Sequence, residues 1–215
     1  MQGRRAEGAV HGMMKLHWSP RSPFVRKVMV AAHELGLAGQ IATVRTVVAM
    51  QKPARELLPE NPLGKIPTLV LEDETILYDS LVIVDYLDSL AGGGRLIPRG
   101  GAARFTELRR HALSNGFLDM LILWRNERDK AAPLAALLDA FALKADAVLH
   151  ALEAEAEALA AGPVGLAQIT AAIAGDYMDF RFPDLGWRDR CPRFAAWQAG
   201  FAQRPSMLAT AIVDA

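Results

Sequence analysis

Asp79 and Ser80 are the residues of this sequence whose types and spacing most clearly suit a charged ligand. Behind them, Leu81, Val84 and Leu87 recur at helical spacing, so the pair lies where a helix begins. The free N–H groups and the positive end of the helix dipole at Ser80 suit a carboxylate, and Asp79 suits a neighbouring ammonium group. Simple capping of the helix is the competing interpretation of this pair.

Ser22 marks a second helix start. It precedes Pro23 and a run of apolar residues at helical spacing, and Gly36 closes that helix as a C′ glycine. A serine N-cap with proline at the first helical position is a strong start signal. The Ser22 hydroxyl therefore lies where a helix dipole begins.

The loop from Asn61 to Pro67 lies between these two helices in the chain. Its two prolines and one glycine exclude a helix. Pro67 opens an apolar run, at a strand's first residue, where the missing N–H is tolerated. The bond from Ile66 to Pro67 is a candidate for a cis peptide. That geometry would turn the N–H and C=O of Ile66 outward, toward whatever occupies the groove beside them.

The overall composition excludes several classes of protein. The 215 residues hold 24 basic and 24 acidic side chains, so nothing indicates a nucleic-acid or anionic-membrane partner. No run of 18 apolar residues could form a membrane-spanning helix. Cys191 is the single cysteine, which excludes an internal disulfide and most thiolate metal sites. The five histidines show no ligand spacing, and we expect no metal site.

The pattern up to residue 90 predicts alternating strands and helices. The order is strand, helix, strand, short helix, and then a β-hairpin with an acidic turn, followed by a helix from Ser80. The predicted strands are 14–18, 41–48, 68–71 and 75–78, and the predicted helices before the hairpin are 23–35 and 53–58. The first two strands and their crossover helix form a βαβ unit.

Beyond a glycine-rich linker, the sequence predicts helices only. The linker is 91–101, and the predicted helices are 102–129, 133–161, 166–180, 192–202 and 206–213. The mostly apolar helix from Leu166 should be central and buried. Gly165 and Gln168 are its candidate N-cap and capping-box residues, with Val164 and Ile169 as a possible hydrophobic staple.

These segments, in this order and spacing, resemble those of glutathione S-transferases, in particular bacterial members with a serine in the active-site loop. The similarity spans roughly Met13 to Pro205. It rests on residues 22–28, 61–67, Asp79-Ser80 with Ile83 and Tyr86-Leu87, the helix from Leu166, and Pro192, Trp197 and Arg204-Pro205.

The resemblance implies the glutathione S-transferase fold. In that fold an α/β thioredoxin-like N-terminal domain, here 13–91, precedes a linker at 92–100 and an all-α C-terminal domain at 101–215. Residues 1–12 would form a flexible tail.

The resemblance also implies glutathione as co-substrate, without a metal. Ile66, before a cis Pro67, would pair its backbone with the cysteinyl part, and Asp79 and Ser80 would hold the γ-glutamyl end. Lys65 would reach the glutathione backbone or the glycyl carboxylate, although a plain exposed lysine is an equal interpretation. Gln51 and Lys52 are weaker candidates for the glycyl end.

Ser22 is the candidate catalytic residue, because the thiol of glutathione must become a thiolate to act as nucleophile. Lowering a thiol pKa from ~8.5 by about two units requires roughly 2.7 kcal/mol. A hydrogen bond to a charged acceptor supplies about 1.5–3 kcal/mol, and the helix N-terminus adds about 0.3–1 kcal/mol. Ser19 is the rival donor on the same loop, and a capping role alone remains open for Ser22.

Where some relatives carry a catalytic tyrosine or cysteine, this chain has Trp18 and Ser22, so thiol–disulfide exchange by residue 22 is impossible. A small hydrophobic electrophile would bind between the domains. Met120 and Trp124 at i, i+4 are candidates to line that pocket, with core packing as the alternative. Cys191 is interpreted as a packing residue.

The main hypothesis is a cytoplasmic, homodimeric transferase that works in detoxification. A glutathione-dependent isomerase or peroxidase is a second possibility on the same scaffold. A non-catalytic, transferase-like interaction module is the third, although a pure scaffold has no need of Ser22 together with Asp79 and Ser80.

Overall fold

A computed structural model describes residues 12–214. Its four-stranded sheet has the order β2-β1-β3-β4. The strands are β1 (Met14–Trp18), β2 (Ile41–Arg45), β3 (Thr68–Val70) and β4 (Ile76–Leu77). β1 runs parallel to β2 and antiparallel to β3, and β3 and β4 form the expected hairpin. The predicted tail lies outside the described residues except for Gly12, whose N–H donates to Glu72.

Helix α1 (Pro23–Leu35) begins and ends where its local signals predict. Ser22 is the N-cap, and Gly36, at φ +76°, adopts the left-handed conformation that ends many helices. Helix α1 connects the two parallel strands and packs against α2 (Ser80–Leu90).

The second strand is shorter than predicted. It ends at Arg45 because its partner β1 ends at Trp18, which leaves the following residues without a strand to pair with. Thr46 instead turns back, donating its N–H to the Trp18 carbonyl and contacting the His17 ring through its hydroxyl. The short helix predicted at 53–58 is a single 3-10 turn, Arg55–Leu57.

The rest of the chain is helical, as expected. The helices are α3 (Gly101–Arg128), α4 (Ala135–Ala161), α5 (Leu166–Arg181), α6 (Trp187–Arg190), α7 (Pro192–Phe201) and α8 (Pro205–Leu208). α8 is shorter than the helix predicted at 206–213, because the Thr210 hydroxyl bonds back to the Ser206 carbonyl and the chain then leaves the helix. Short 3-10 turns also occur at Ala38–Gln40 and Pro183–Leu185.

Helix α5 is central and buried, as predicted, and packs against α1, α3 and α7. Its N-cap is Gly165, but the predicted capping box with Gln168 does not form. The carboxylate of Glu107, on α3, accepts the Ala167 N–H at 2.6 Å, and the Leu96 carbonyl accepts the Leu166 N–H. A Cβ on Gly165 would lie 2.5 Å from the Glu107 carboxylate, so the distant cap requires glycine here.

The glycine-rich linker is held by one buried side chain. The two oxygens of Asp88, near the end of α2, accept the N–H groups of Gly94, Arg95, Leu96 and Ile97 at 2.9–3.3 Å. This places Leu96 where its carbonyl can meet the start of α5.

Candidate active site

The Ser22 side chain lies at the start of α1 and is partly exposed. Its oxygen accepts the Val25 N–H at 3.2 Å. Among residues 12–214, no acceptor lies within hydrogen-bond distance of its own hydroxyl hydrogen. The hydroxyl is therefore a cap that still has a proton to donate to a ligand.

Ser19 lies on the same loop, and its carbonyl accepts the Ser22 N–H at 3.3 Å. It lines a cavity of about 430 Å³ between the end of β1, strand β2, one face of α1 and residues 209–213. Ser22 and the predicted glutathione contacts from Lys65 to Ser80 do not line this cavity.

Buried Asn61 shapes the loop that leads to Pro67. Its amide nitrogen donates to the Lys65 carbonyl at 3.0 Å and to the Thr68 hydroxyl at 2.9 Å, while its side-chain oxygen accepts the Leu63 N–H. Gly64, at φ +59°, allows the turn by which the loop folds around the Asn61 side chain.

The Ile66–Pro67 peptide is cis, as predicted. The Ile66 side chain is buried, and its N–H and C=O have no hydrogen-bond partner within the described part of the chain. Lys65, beside it, is exposed. The loop therefore presents the free N–H and C=O of Ile66 beside the long cationic side chain of Lys65.

Asp79 and Ser80 form the start of α2, as the sequence predicts. One Asp79 oxygen accepts the Leu81 N–H at 3.0 Å, so the residue is an N-cap, yet its side chain is exposed. Ser80, the first helical residue, is buried. The second oxygen of the Asp79 carboxylate therefore remains available next to the N-terminus of α2.

A buried cluster between α1 and α3 was not predicted from the sequence. Lys27, on α1, is fully buried, and its Nζ donates to the Asn115 side-chain oxygen at 2.6 Å and to His111 Nε2 at 3.1 Å. Burial lowers the pKa of Lys27 to about 7, against the attraction of the Asp79 and Asp119 carboxylates. Burial also lowers the pKa of His111, to about 3, with the Lys27 charge acting in the same direction.

Asp119 extends this cluster toward the candidate site. Its pKa is raised, mainly by desolvation, while the charges of Lys65 and Lys27 lower it and that of Asp79 raises it. Two signals could have pointed to the cluster: Lys27 lies three residues after Phe24 and four before Ala31 on a buried stripe, and His111 and Asn115 share a face at i, i+4.

The two candidates for the second-substrate pocket have different surroundings. Trp124 is buried and its ring lies against Phe141 and Phe182, with centroids 6.2 and 5.1 Å away. Core packing, the alternative given above, therefore describes Trp124, whereas Met120 is only partly buried.

Cys191 is buried, its Sγ lies 3.6 Å from the Leu149 carbonyl, and burial raises its thiol pKa.

Within residues 12–214, no group of three or more His, Cys, Asp or Glu side chains could hold a metal ion. None of the helices in that part of the chain is long and apolar enough to cross a membrane.

Comparison with known proteins decides the family. Residues 16–95 match the family model of the glutathione S-transferase N-terminal domain. The uncharacterised GST-like protein YibF of Escherichia coli (strain K12) is 30% identical over 180 residues, which cover 81% of this chain and 86% of YibF. The chain belongs to the glutathione S-transferase family.

Solved glutathione transferases have the same architecture. A family member from Pseudomonas fluorescens Pf-5 with bound glutathione is 43% identical, with a TM-score of 0.89 over 93% of this chain and 99% of that one. Another structure, described for the same species and strain and with the same 43% identity, holds S-(propanoic acid)-glutathione (TM-score 0.84, 92% and 98% covered). A glutathione S-transferase from Methylobacillus flagellatus KT with glutathione bound is 31% identical, with a TM-score of 0.81 over 93% and 100% of the two chains.

These findings confirm the predicted fold class and the predicted enzyme class. The small mixed sheet followed by helices is the thioredoxin-like and all-α arrangement of glutathione transferases. This transferase belongs to an enzyme family, and its second substrate is unspecified.

Proposed function

We propose that this transferase binds glutathione and lowers the pKa of its thiol, so that the thiolate attacks a small electrophile with an apolar body. The observation that carries the proposal is the Ser22 hydroxyl, which caps α1 and keeps its proton available at the positive end of the helix. A hydrogen bond there and the helix dipole act together on one sulfur atom. Ser19 is the alternative donor, although it lines the separate cavity.

Glutathione would lie along the loop and helix starts beside Ser22. The free N–H and C=O of Ile66, before Pro67, would pair with the cysteinyl backbone as a short added strand. Ser80 at the start of α2 would hold the γ-glutamyl carboxylate, and the spare oxygen of Asp79 its ammonium. Exposed Lys65 would reach the glycyl end, and Gln51 and Lys52, which are also exposed, are weaker candidates for that end.

The electrophile would enter from the side of α3, where Met120 is partly buried. The relatives from Pseudomonas fluorescens support this proposal, since one holds glutathione and the other a glutathione substituted at sulfur. We also propose a detoxifying role in the cytoplasm, since conjugation removes reactive electrophiles from solution. We also propose the division into 13–91, 92–100 and 101–215 as two domains and a linker.

A homodimer is part of the proposal. Large apolar side chains are exposed on both parts of the molecule, among them Met50, Leu63 and Val82 near the sheet and Phe105 and Leu123 on α3. Such exposure supports a surface that is covered in solution.

Calorimetric titration with glutathione, followed by turnover assays, tests the function. We expect dissociation constants between micromolar and low millimolar, and conjugation of activated aryl halides or unsaturated carbonyls. Absence of binding at about 10 mM, weaker than roughly 3 kcal/mol, would overturn the proposal in favour of an interaction module. Binding with reduction of hydroperoxides or isomerisation, and no conjugation, would overturn only the reaction.

A further inference from the structure

The cavity of about 430 Å³ beside β2 takes no part in the proposed glutathione contacts, because neither Ser22 nor the residues from Lys65 to Ser80 line it. Its volume falls within the range of small-molecule sites, about 300–1,000 Å³. Two of its lining residues, His33 and Arg45, are exposed, so a ligand can enter from solvent beside them.

Ion pairs and hydrogen bonds fix the wall of the cavity that faces β2. Arg26, on α1, lines the cavity and is only 7% exposed. Its guanidinium donates to Asp176 at 2.6 Å and to the Met207 carbonyl at 3.3 Å, which holds α8 in place. Residues 209–213 follow α8 and form part of the wall, and Asp214 then pairs with two arginines at 3.3 and 3.6 Å. The cavity is therefore preformed, as most small-molecule sites are.

The lining combines apolar surface with a cationic group. The Arg45 guanidinium lies over the Trp18 ring, 5.8 Å from its centroid, and Met29 and Val213 add apolar surface. Among the described residues, no Asp or Glu side chain lines the cavity. A guanidinium presents its N–H donors as a fork that matches a carboxylate, and the aromatic ring beside it suits a flat apolar group.

We propose that this cavity is a second binding site, which takes a small aromatic carboxylic acid. The carboxylate would pair with Arg45, and the Thr43 hydroxyl and the His33 ring are further hydrogen-bonding groups of the lining. The aromatic body would lie against Trp18 and Met29. Thr43 and Arg45 can act together because residues at i and i+2 share one face of a strand. The inference goes beyond the proposed function and does not depend on it, since it uses none of the glutathione contacts.

Calorimetric titration of the full chain with 2-naphthoate, 2-naphthamide and inorganic sulfate tests the site. We expect 2-naphthoate to bind with a dissociation constant on the order of 0.1 mM, a typical efficiency for a ligand of this size. The neutral amide has the same shape and should bind about tenfold more weakly or worse, because the charge-assisted pair with Arg45 is lost. Sulfate, which has no apolar body, should not compete at millimolar concentration.

Repeating the titration with saturating S-hexylglutathione separates this site from the transferase site. That compound would fill both the glutathione site and the adjoining pocket for the electrophile, so the affinity for 2-naphthoate should not change. Displacement of 2-naphthoate by S-hexylglutathione would overturn the proposal, because the acid would then occupy the transferase site. Failure of S-hexylglutathione to bind would count against the proposed function alone, and the other arms would still decide the cavity.

Two variants locate the ligand. Arg45→Met keeps an apolar side chain over Trp18 and removes the charge, so the affinity for 2-naphthoate should fall about tenfold or more and that for the amide should change little. Arg55→Met, at an exposed position outside the cavity, should alter neither affinity. Ala211→Trp, which fills the cavity from the wall facing β2, should block both ligands and decides the question if Arg45→Met fails to fold. Equal binding of acid and amide, no binding of 2-naphthoate at about 5 mM, or unchanged 2-naphthoate affinity in either cavity variant would overturn the proposal.

Discussion

At the scale of single residues, the candidate site uses capping side chains for a second purpose. Ser22 and Asp79 both accept an N–H from the first turn of a helix, and each retains one hydrogen-bonding group that the protein does not use. Local stability and ligand binding therefore depend on the same atoms. Substitutions must separate the two roles.

Asp79→Asn separates them at the γ-glutamyl end. Asparagine caps a helix about as well as aspartate, so the free energy of unfolding should change little. Loss of the charge should weaken glutathione binding by about 1.5–3 kcal/mol, measured by calorimetry. Asp79→Ala should lose the same affinity and, in addition, about 0.5–2 kcal/mol of stability. If Asp79→Asn binds glutathione as the wild type does, Asp79 is a cap and nothing more.

At the scale of helices and strands, signals that are local in sequence predicted the structure well. Ser22, Pro23 and Gly36 lie within or beside α1, and they fix its two ends. The cis peptide at Ile66–Pro67 was likewise predictable, because proline and a strand start adjoin there.

Interactions between distant residues were not predictable from one sequence. Glu107 accepts an N–H from a residue 60 positions later in the chain, and Lys27 contacts residues 84 and 88 positions away. No sequence pattern pairs these residues. The predicted capping box with Gln168 was wrong for the same reason. The Glu107 carboxylate from α3 instead accepts an N–H of the first turn of α5.

Glu107→Ala tests the distant cap of α5. The Ala167 N–H would lose its acceptor in a partly buried position, at a cost of about 1–3 kcal/mol in the free energy of unfolding. Glu157→Ala, at an exposed position on α4, should cost much less. Gly165→Ala should also destabilise, but less in the Glu107→Ala background, because the clashing carboxylate is gone. Additive effects of the two substitutions in denaturant unfolding would contradict this account.

Glu34 joins α1 to the C-terminal helices. Hydrogen bonding by Arg204 lowers its pKa below the usual 4.5, with a further contribution from Ser206, although desolvation opposes this. A depressed carboxylate pKa stabilises the fold above pH ~4.5, and the contribution disappears as the pH falls through the lower native value. Glu34→Gln should therefore cost up to ~1 kcal/mol at pH 7 and less at an acidic pH below the native pKa of Glu34. Equal losses at both pH values in urea unfolding would contradict the linkage.

At the scale of the whole molecule, the exposed apolar side chains predict self-association. Sedimentation at micromolar concentration should show a two-fold homodimer, and Phe105→Glu, which places a charge at a side chain 72% exposed, should shift the equilibrium toward monomer. Leu143→Glu, at an equally exposed position on α4, tests whether a charge on a different face of the molecule also shifts the equilibrium. A monomeric wild type at this concentration would rule the dimer out.

Activation of the thiol by Ser22 is the central claim, and ultraviolet titration of the thiolate of enzyme-bound glutathione tests it most directly. In the wild type, the bound thiol should titrate about two units below the ~8.5 of a free thiol, and Ser22→Ala should raise this pKa by about one to two units, each worth ~1.36 kcal/mol. Ser19→Ala should leave the value unchanged. An unaltered thiol pKa in Ser22→Ala, with glutathione still bound, would contradict the account, and a rise confined to Ser19→Ala would transfer the role to Ser19.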